Sequence, residues 1–143
     1  MENELKRYTA DWIAFNHVYD QLIVKNQLTA SLLYVFIVFE THDFKLPLIC
    51  LVEETGLPKQ TVTSIVNKLR REKKIVTFLD PTDKRSKILY LNEVGQEQAR
   101  TVLAELRTKE LKAAQALGLE KLRLLNDLNE EMLANLKGQV EDK

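Results

Sequence analysis

The stretch LPLICLVEETGLPKQTVTSIVNKLRREKKIV, residues 46–76, decides the fold that this sequence predicts. Pro47 suits the first turn of a helix, and Gly56 ends that helix because glycine readily adopts the left-handed conformation of a helix terminus. A second helix begins at Pro58 and places apolar residues inward at helical spacing: Val62, Ile65, Val66 and Leu69. Two helices joined by a short glycine turn are typical of a helix-turn-helix.

Two short apolar runs, IVTFL at 75–79 and ILYL at 88–91, follow the second helix. Their composition is typical of β-strands, and the polar segment DPTDKRSK between them, residues 80–87, predicts a hairpin. A helix-turn-helix followed by a hairpin is the winged helix-turn-helix. The predicted class is therefore mainly α with a small two- or three-stranded β-wing (α+β).

Long helices flank this module. The first carries one apolar stripe at spacings of three and four residues: Leu5, Tyr8, Trp12, Phe15, Tyr19 and Leu22. Lys25-Asn26-Gln27 ends it, and Thr29 is the predicted N-cap of a second helix that runs through Glu40. That helix is apolar nearly all round, which indicates the buried centre of the domain.

The helices that follow the wing are also amphipathic. Asn92 is the predicted N-cap of a helix that reaches about Leu117, Gly118 breaks it, and a last helix runs to about Leu136. The apolar stripes of the flanking helices are additional to the winged module, and they require a partner.

Composition sets the general class. The chain has 143 residues, 45% hydrophobic and 29% charged, which indicates a single globular domain that needs no disulfide or metal. One cysteine, Cys50, excludes an intrachain disulfide framework and a multi-cysteine zinc site. No signal segment precedes the first helix, and the longest apolar run, residues 32–39, is too short to span a bilayer, so we expect a cytoplasmic protein.

The charges are unevenly placed. The chain has 21 basic and 21 acidic residues, a formal net charge of zero. Residues 58–87 hold nine basic and three acidic residues, a net charge of +6, so the remainder carries −6. The basic residues are Lys59, Lys68, Arg70, Arg71, Lys73, Lys74, Lys84, Arg85 and Lys87. Such residues often only solvate a helix face, but their coincidence with a helix-turn-helix and wing favours contact with DNA phosphates.

With these elements in place, the sequence resembles the MarR family of bacterial transcriptional regulators over essentially its whole length. Residues 46–76 follow the family's helix-turn-helix without a gap, and DPTDKRSKILYLNEVG, residues 80–95, matches its wing and the entry to the next helix. Two departures stand out: Lys74 replaces the glycine usual before the first wing strand, and Leu48, Ile49 and Cys50 are apolar where relatives are mostly polar.

The resemblance implies a homodimer that binds a palindromic double-stranded DNA operator, usually as a repressor relieved by a small ligand. It implies one domain over residues 1–143, with dimerisation helices at 1–27 and 93–143 and a DNA-binding lobe at 28–92. Residues 58–68 would form the recognition helix, whose DNA-facing residues are Lys59, Gln60, Thr61, Thr63, Ser64, Asn67 and Lys68. Amide side chains pair with adenine edges, and hydroxyl groups suit bases or phosphates.

The wing has its own implied contacts. Arg85 matches the family's wing-tip arginine, which enters the minor groove, and Asp83 matches the acid that orients it; Asp83 is alternatively a turn residue that bonds its own backbone. Lys84, Ser86 and Lys87 would contact phosphates. The family's effector pocket would be lined by aromatic residues, for which we favour a core or dimer-interface role on spacing alone: Trp12, Phe15, Tyr19 and Tyr34.

Other chemistry has less support. Cys50 is interpreted as a buried structural thiol rather than a redox sensor, and His17 and His42 as polar residues rather than metal ligands. The sequence contains no catalytic motif, so neither enzyme activity nor a cofactor is expected. The alternative to a DNA-binding regulator is a winged-helix module that binds protein through its wing and apolar third helix.

Overall fold

The computed structural model describes residues 1–25 and 29–141, and within them the chain forms six α-helices and three β-strands. The helices are α1 (Glu2–Lys25), α2 (Ala30–Thr41), α3 (Leu48–Thr55), α4 (Lys59–Arg71), α5 (Glu93–Leu117) and α6 (Leu119–Glu141). The strands are β1 (Lys45–Pro47), β2 (Ile75–Leu79) and β3 (Lys87–Leu91). This order confirms the predicted winged helix-turn-helix, with three strands in the wing.

The wing is an antiparallel sheet in the order β1-β3-β2. Leu46, Leu89 and Thr77 lie side by side in its register and face inward, and the first two are fully buried. The neighbouring row, which contains Ile88 and Phe78, faces the other way because side chains alternate along a strand. One face of the sheet therefore belongs to the core, where α3 and α4 pack against its strands.

Helix α2 is the centre of this core, as its apolar sequence predicts. Its buried residues are Leu33, Val35, Phe36, Val38 and Phe39, whereas Leu32 and Ile37 are only partly buried. Both α3 and α4 pack against it. Each fully buried side chain of this size contributes roughly 1.5–3 kcal/mol through removal of apolar surface from water.

The helix termini follow the predicted signals with small shifts. The Thr29 hydroxyl accepts a hydrogen bond from the Leu32 amide at 3.2 Å, so Thr29 is the N-cap of α2. Gly56 ends α3 in the left-handed conformation, with φ of 66°. Pro47 and Pro58 are N-caps rather than first helical residues. The predicted end of α1 at Asn26 and Gln27 lies outside the described residues.

Two helices run further than predicted. Helix α4 continues to Arg71, beyond the recognition helix expected at residues 58–68, and α6 continues to Glu141 rather than to about Leu136. The last turn of α4 contains Lys68, Arg70 and Arg71, whose positive charges favour the negative end of the helix dipole. Charged residues can therefore extend a helix beyond the last apolar residue of its periodic pattern.

The start of α5 is joined to the turn that precedes β2. The Asn92 amide group donates to the Lys73 carbonyl at 2.6 Å, its backbone N–H donates to the Lys74 carbonyl at 3.0 Å, and its side-chain oxygen caps the Gly95 amide at 3.0 Å. Asn92 thus confirms the predicted cap and also closes the base of the wing. The left-handed residue of this turn is Lys73, with φ of 56°, one position before the family's usual glycine.

Two compact units make up the chain, Met1–Ala104 and Glu105–Lys143. In the first, α1 contacts α2, but its side chains are exposed from Glu2 as far as Val18. In the second, α6 has no buried residue, although it carries many leucines. Over the described residues, no helix combines the length and apolarity needed to cross a membrane.

The junction at Gly95 gives a stability prediction. A Cβ at this position would lie 2.5 Å from the Lys74 carbonyl oxygen and 2.7 Å from a side-chain carbon of Leu91. We expect Gly95→Ala to lower the free energy of unfolding by roughly 1–3 kcal/mol, since backbone must move to accommodate the methyl group. Urea denaturation at one fixed protein concentration measures the change.

Gly138→Ala is the matched control, because Gly138 is also helical and a Cβ there meets nothing within 4 Å. The alanine should raise stability by about 0.5–1 kcal/mol, the usual difference between the two residues in a helix. Equal effects of the two substitutions would contradict the close contact at Gly95.

Candidate nucleic-acid interface

The exposed side of α4 forms a shallow concave surface. Helix α4 turns Val62, Val66 and Leu69 into the core, so the residues on its opposite side point outward. Six of them line a concavity of about 400 Å³, which we call the recognition face: Lys59, Gln60, Thr63, Ser64, Asn67 and Arg71. Their cationic, amide and hydroxyl groups are those that bind phosphates and base edges.

Five of the seven residues predicted to face DNA from this helix line the recognition face, and Thr61 and Lys68 do not. Thr61 is only partly exposed, and neither Thr61 nor Lys68 lines the concavity. Arg71 lines it but was not among the predicted contacts, because the recognition helix was expected to end at residue 68. Arg71 lies four positions after Asn67, so helical spacing continued one turn further would have found it.

A second concave surface joins α4 to the wing. It has a volume of about 630 Å³, and we call it the wing groove; its lining comprises Leu48, Ile49, Val52, Lys59, Thr63, Asp83, Arg85, Ser86 and Lys87. Four of the five predicted wing contacts lie here, and Lys84 does not. Lys59 and Thr63 belong to both surfaces, so the recognition face and the wing groove are continuous.

The apolar residues of α3 form one wall of the wing groove. Leu48 and Val52 are partly buried, whereas Ile49 is 61% exposed. Leu48 and Ile49 were noted in the sequence as a departure from the family and as part of an apolar third helix that could bind protein; their place beside the wing depends on the tertiary structure. Cys50 is half-buried, not buried as the sequence predicted; Leu51 is the buried residue of this short helix.

Two aspartates shape the wing tip. Asp80 accepts hydrogen bonds from the Thr82 amide at 2.9 Å and the Thr82 hydroxyl at 2.7 Å. Asp83 accepts from the backbone N–H of Arg85 at 3.0 Å, so it acts on Arg85 through the turn. Among the described residues, the Arg85 guanidinium has no ion-pair partner, which leaves it available to a ligand.

Some of the basic residues at the end of α4 have partners within the protein. Lys74 donates a hydrogen bond to Glu72 at 2.7 Å, and this bond, supported by the charges of Lys68 and Arg71, lowers the pKa of the Glu72 carboxyl. Arg70 donates to the Thr77 hydroxyl at 3.1 Å, which ties α4 to β2. The charge of Lys74 is therefore partly neutralised by Glu72, whereas the positive charges of Lys59 and Arg71 lie on the recognition face.

The other candidate residues are dispersed. His42 caps α2 and lies 2.7 Å from a Glu54 oxygen, and His17 lies near Gln21 at 3.4 Å. No group of three or more metal-ligating side chains occurs in residues 1–25 and 29–141.

Most of the aromatic residues considered for an effector pocket are exposed and do not belong to the core. Trp12 and Phe15 are 61% and 63% exposed, Tyr34 is exposed as well, and Tyr19 is partly buried. Within one chain a core role is therefore wrong for Trp12 and Phe15, because α1 is covered only near its C-terminal end, and for Tyr34, which is 42% exposed on α2. The interface role remains a prediction.

Comparison with known proteins identifies the fold. The sequence matches no protein-family profile and no curated protein sequence. Among solved structures, NMB1585, a MarR family regulator from Neisseria meningitidis, is similar with a TM-score of 0.78, 23% identity, and coverage of 98% of this chain and 99% of that one.

Two further structures illustrate what proteins of this fold bind. A mutant MarR from E. coli complexed with operator DNA gives a TM-score of 0.63 and 18% identity over 92% of this chain and 96% of that one. NadR in complex with 4-hydroxyphenylacetate gives a TM-score of 0.72 and 20% identity, over 84% of this chain and 89% of that one. The chain thus has the winged-helix fold of MarR-family regulators.

The wing-tip turn gives a pH prediction. The Thr82 backbone and side-chain hydrogen bonds lower the pKa of Asp80, since both favour the ionised carboxylate. The turn is therefore fully stabilised above the ordinary aspartate pKa and loosens as pH falls through the lowered one. The chemical shift of the Thr82 amide should titrate with a midpoint below the ordinary value.

Two variants test whether these hydrogen bonds lower the pKa of Asp80. Asp80→Asn should remove the transition, and Thr82→Val should raise the midpoint part of the way, because the backbone hydrogen bonds from Thr82 and Asp83 remain. A midpoint at or above that of an ordinary aspartate would contradict the turn described here.

Proposed function

We propose that this chain, which has the fold of MarR-family regulators, is a sequence-specific transcriptional regulator that binds double-stranded DNA. The observation that carries the proposal is the continuity of the recognition face and the wing groove. Both surfaces lie in residues 58–87 and the adjoining α3, and residues 58–87 have a net charge of +6. A positive surface built from a recognition helix and a wing suits a duplex, whose phosphates release counterions when neutralised.

The two parts of this surface have different tasks. The recognition helix enters the major groove, where amide and hydroxyl side chains distinguish bases. The wing reaches the adjacent minor groove with Arg85, while Lys84, Ser86 and Lys87 contact phosphates. Asp83 accepts a hydrogen bond from the Arg85 backbone, which is the turn role predicted for it, and we propose that this bond helps to orient Arg85. Of the remaining predicted contacts, Thr61 and Lys68 are assigned to the edge of the interface.

The regulator acts as a homodimer on a palindromic operator. Apolar side chains are exposed along α1, among them Trp12 and Phe15, and along α6, among them Leu124 and Leu128. Several exposed apolar side chains along one helix are typical of a protein interface. We accordingly assign dimerisation to residues 1–27 and 93–143, and DNA binding to residues 28–92. Pairing about a twofold axis would set the two recognition helices about 34–36 Å apart, one helical turn of DNA.

Regulation follows from that separation. A small molecule that binds better to another arrangement of the dimer lowers operator affinity by its differential affinity for the two states. The complex of NadR with 4-hydroxyphenylacetate supports an effector of this kind, and Trp12, Phe15, Tyr19 and Tyr34 are the candidate residues to contact it. The protein would then be a repressor that its ligand releases. It is proposed to act in the cytoplasm, without enzymatic activity or a cofactor.

A protein-binding module is the second candidate. Ile49 on α3 and Val76 and Phe78 on the outer face of the wing are exposed apolar residues. These would contact a protein partner if the basic surface served only solubility. Salt-dependent binding to a duplex distinguishes the two functions, because counterion release is specific to a polyanion.

Arg85 provides the direct test of the wing. Arg85→Ala should weaken operator binding by at least about 1 kcal/mol, because it removes the guanidinium from the minor groove. Arg85→Lys is the matched control: it keeps the charge and should retain part of the affinity. Fluorescence anisotropy at physiological salt measures both. Unchanged affinity of Arg85→Ala, with the oligomeric state intact, would refute the assignment of the wing.

The oligomeric state is tested by light scattering with two matched variants. The chain should have twice its 16.6 kDa mass at micromolar concentration. Trp12 and Ile49 are both 61% exposed, but only Trp12 lies on a proposed dimerisation helix. Trp12→Glu should therefore shift the protein toward monomer, since a charge is costly in an apolar interface, and Ile49→Glu should not. A strictly monomeric wild type, or dissociation by Ile49→Glu alone, would contradict the proposed dimer.

A further inference from the structure

We infer that strand β2 binds β2 of a second copy of this chain, edge to edge and antiparallel, in a register centred on Thr77. The contact joins the two wings into one continuous six-stranded sheet, with three strands from each copy. It lies on the wing and is therefore separate from the pairing of the dimerisation helices proposed above.

The two outer strands of the wing sheet differ in how well they are protected. In the order β1-β3-β2, the outer strands are β1 and β2. Strand β1 has three residues, begins at Lys45 and ends at Pro47, and a short edge with a lysine and a proline resists pairing with another chain. Strand β2 has five residues, IVTFL, with neither a charged residue nor a proline. It therefore lacks the features with which proteins usually prevent the edge of a sheet from binding another strand.

Backbone groups of β2 point away from the sheet. Residues of an antiparallel strand direct their N–H and C=O groups alternately toward and away from the neighbouring strand. The Leu91 N–H donates to the Phe44 carbonyl at 2.9 Å, on the side of β1, so Ile75, which lies opposite Leu91, does not exchange hydrogen bonds with it. The backbone groups of Ile75, Thr77 and Leu79 therefore form what we call the free edge. Within the described residues, β2 pairs only with β3.

The side chains beside the free edge are apolar and accessible. Val76 and Phe78 lie on the outer face of the sheet and are 49% and 38% exposed, and Leu79 is 60% exposed. Thr77 faces inward, where its hydroxyl accepts a hydrogen bond from Arg70 at 3.1 Å, so this bond lies on the face of the sheet and not at its edge. A second strand would cover the apolar side chains and leave the bond from Arg70 in place.

The sequence of β2 is complementary to itself when two copies run antiparallel. With Thr77 opposite Thr77 of the second copy, Val76 lies opposite Phe78, and Ile75 lies opposite Leu79. A β-branched residue opposite an aromatic one is a favourable cross-strand pair. The hydrogen-bonding groups also match, because the pairs 77–77 and 75–79 join residues whose backbone groups belong to the free edge.

Charge complementarity favours a second copy as the partner and fixes the register. Lys74 and Asp80 lie three positions before and after Thr77, so this register places Lys74 opposite Asp80 at both ends of the contact. Lys74 also bonds Glu72 and Asp80 also bonds Thr82, but ammonium and carboxylate groups form more than one hydrogen bond each. A register shifted by two residues would place Asp80 opposite either Glu72 or Val76, and the opposite-charge pairs would be lost.

The contact links dimers to one another. It is isologous, because the same strand contributes from both copies, and together with the proposed pairing of α1, α5 and α6 it gives each chain two interfaces. If the chain binds DNA as proposed above, dimers at neighbouring operators would be joined through their wings. Only this consequence rests on the proposed function, and the contact itself can be tested with the protein alone.

Disulfide cross-linking of full-length cysteine variants tests the contact and its register. The variants are Val76→Cys and Phe78→Cys, each in a Cys50→Ser background because Cys50 is the only cysteine of the chain. In the inferred register the two positions form a non-hydrogen-bonded pair with Cα atoms about 4.5 Å apart, within the range of a disulfide. Two copies of the same variant would place their cysteines diagonally, about 7–8 Å apart, where a disulfide requires backbone movement.

The two variants, one of them carrying an affinity tag, are mixed and oxidised at about 0.5 M salt, which screens the repulsion between two basic segments. We expect the mixed disulfide in a yield at least about fivefold above that of either variant alone. Ile88→Cys is the matched control. It lies on the same outer face but on the central strand β3, so it should not cross-link with Val76→Cys.

Leu79→Pro tests the backbone hydrogen bonds of the contact. Because the Leu79 N–H belongs to the free edge, proline removes a hydrogen bond between the copies and none within the wing. Added to both cysteine variants, it should lower the yield of the mixed disulfide at least about fivefold, whereas Leu79→Val should not. Circular dichroism checks that each variant is folded, and the comparison of the cysteine variants decides the matter if Leu79→Pro is not.

Three results would overturn the inference. Equal yields from the mixture and from the single variants would contradict the register, and an unaltered yield with folded Leu79→Pro would contradict pairing through the free edge. Absence of the mixed disulfide would leave the free edge to a strand of another protein. None of these results bears on the proposed function, which salt-dependent binding to a duplex tests separately.

Discussion

The close approach between the start of α5 and the turn after α4 is the constraint on which the rest of the winged lobe depends. The Lys74 carbonyl reaches α5 only because Gly95 has no Cβ. Asn92 bonds the same turn through its backbone and its side chain. Since Lys74 precedes β2 and Asn92 follows β3, this one junction closes the hairpin at its base. It thereby holds the wing beside the end of the recognition helix.

That junction lets one short module present two surfaces at once. The inward row of the sheet, with Leu46 and Leu89, is buried with α3 and α4, and burial of this row orients the outward side of α4. Lys59 and Thr63 then border both the recognition face and the wing groove. The proposed binding of DNA by a protein with no net charge rests on this arrangement, because residues 58–87, which contribute most of both surfaces, carry a net charge of +6.

Individual residues show which features of the fold the sequence pattern predicts and which it does not. Thr29, Gly56 and Asn92 were predicted as helix termini and act as such, because capping depends on a few adjacent backbone groups. Strand β1 was not specifically predicted, since three residues are too few to show a period and their pairing with β3 is long-range. The dimerisation helices, the effector residues and the individual DNA contacts remain predictions from the sequence.

By itself the sequence determined the order of the helices and of the two hairpin strands, the inward stripe of α4 and the concentration of positive charge in residues 58–87. These properties are local, because spacing along the chain sets which side chains share a helix face. The hydrogen bond from the Arg85 backbone to Asp83 is also local, and it is the turn contact that the sequence offered as one role of Asp83. The tertiary structure alone decided that α4 continues far enough for Arg71 to line the recognition face and that Ile49 and Arg85 line the same groove. These two features depend on how far a helix continues and on contacts between segments distant in sequence, which residue spacing does not encode.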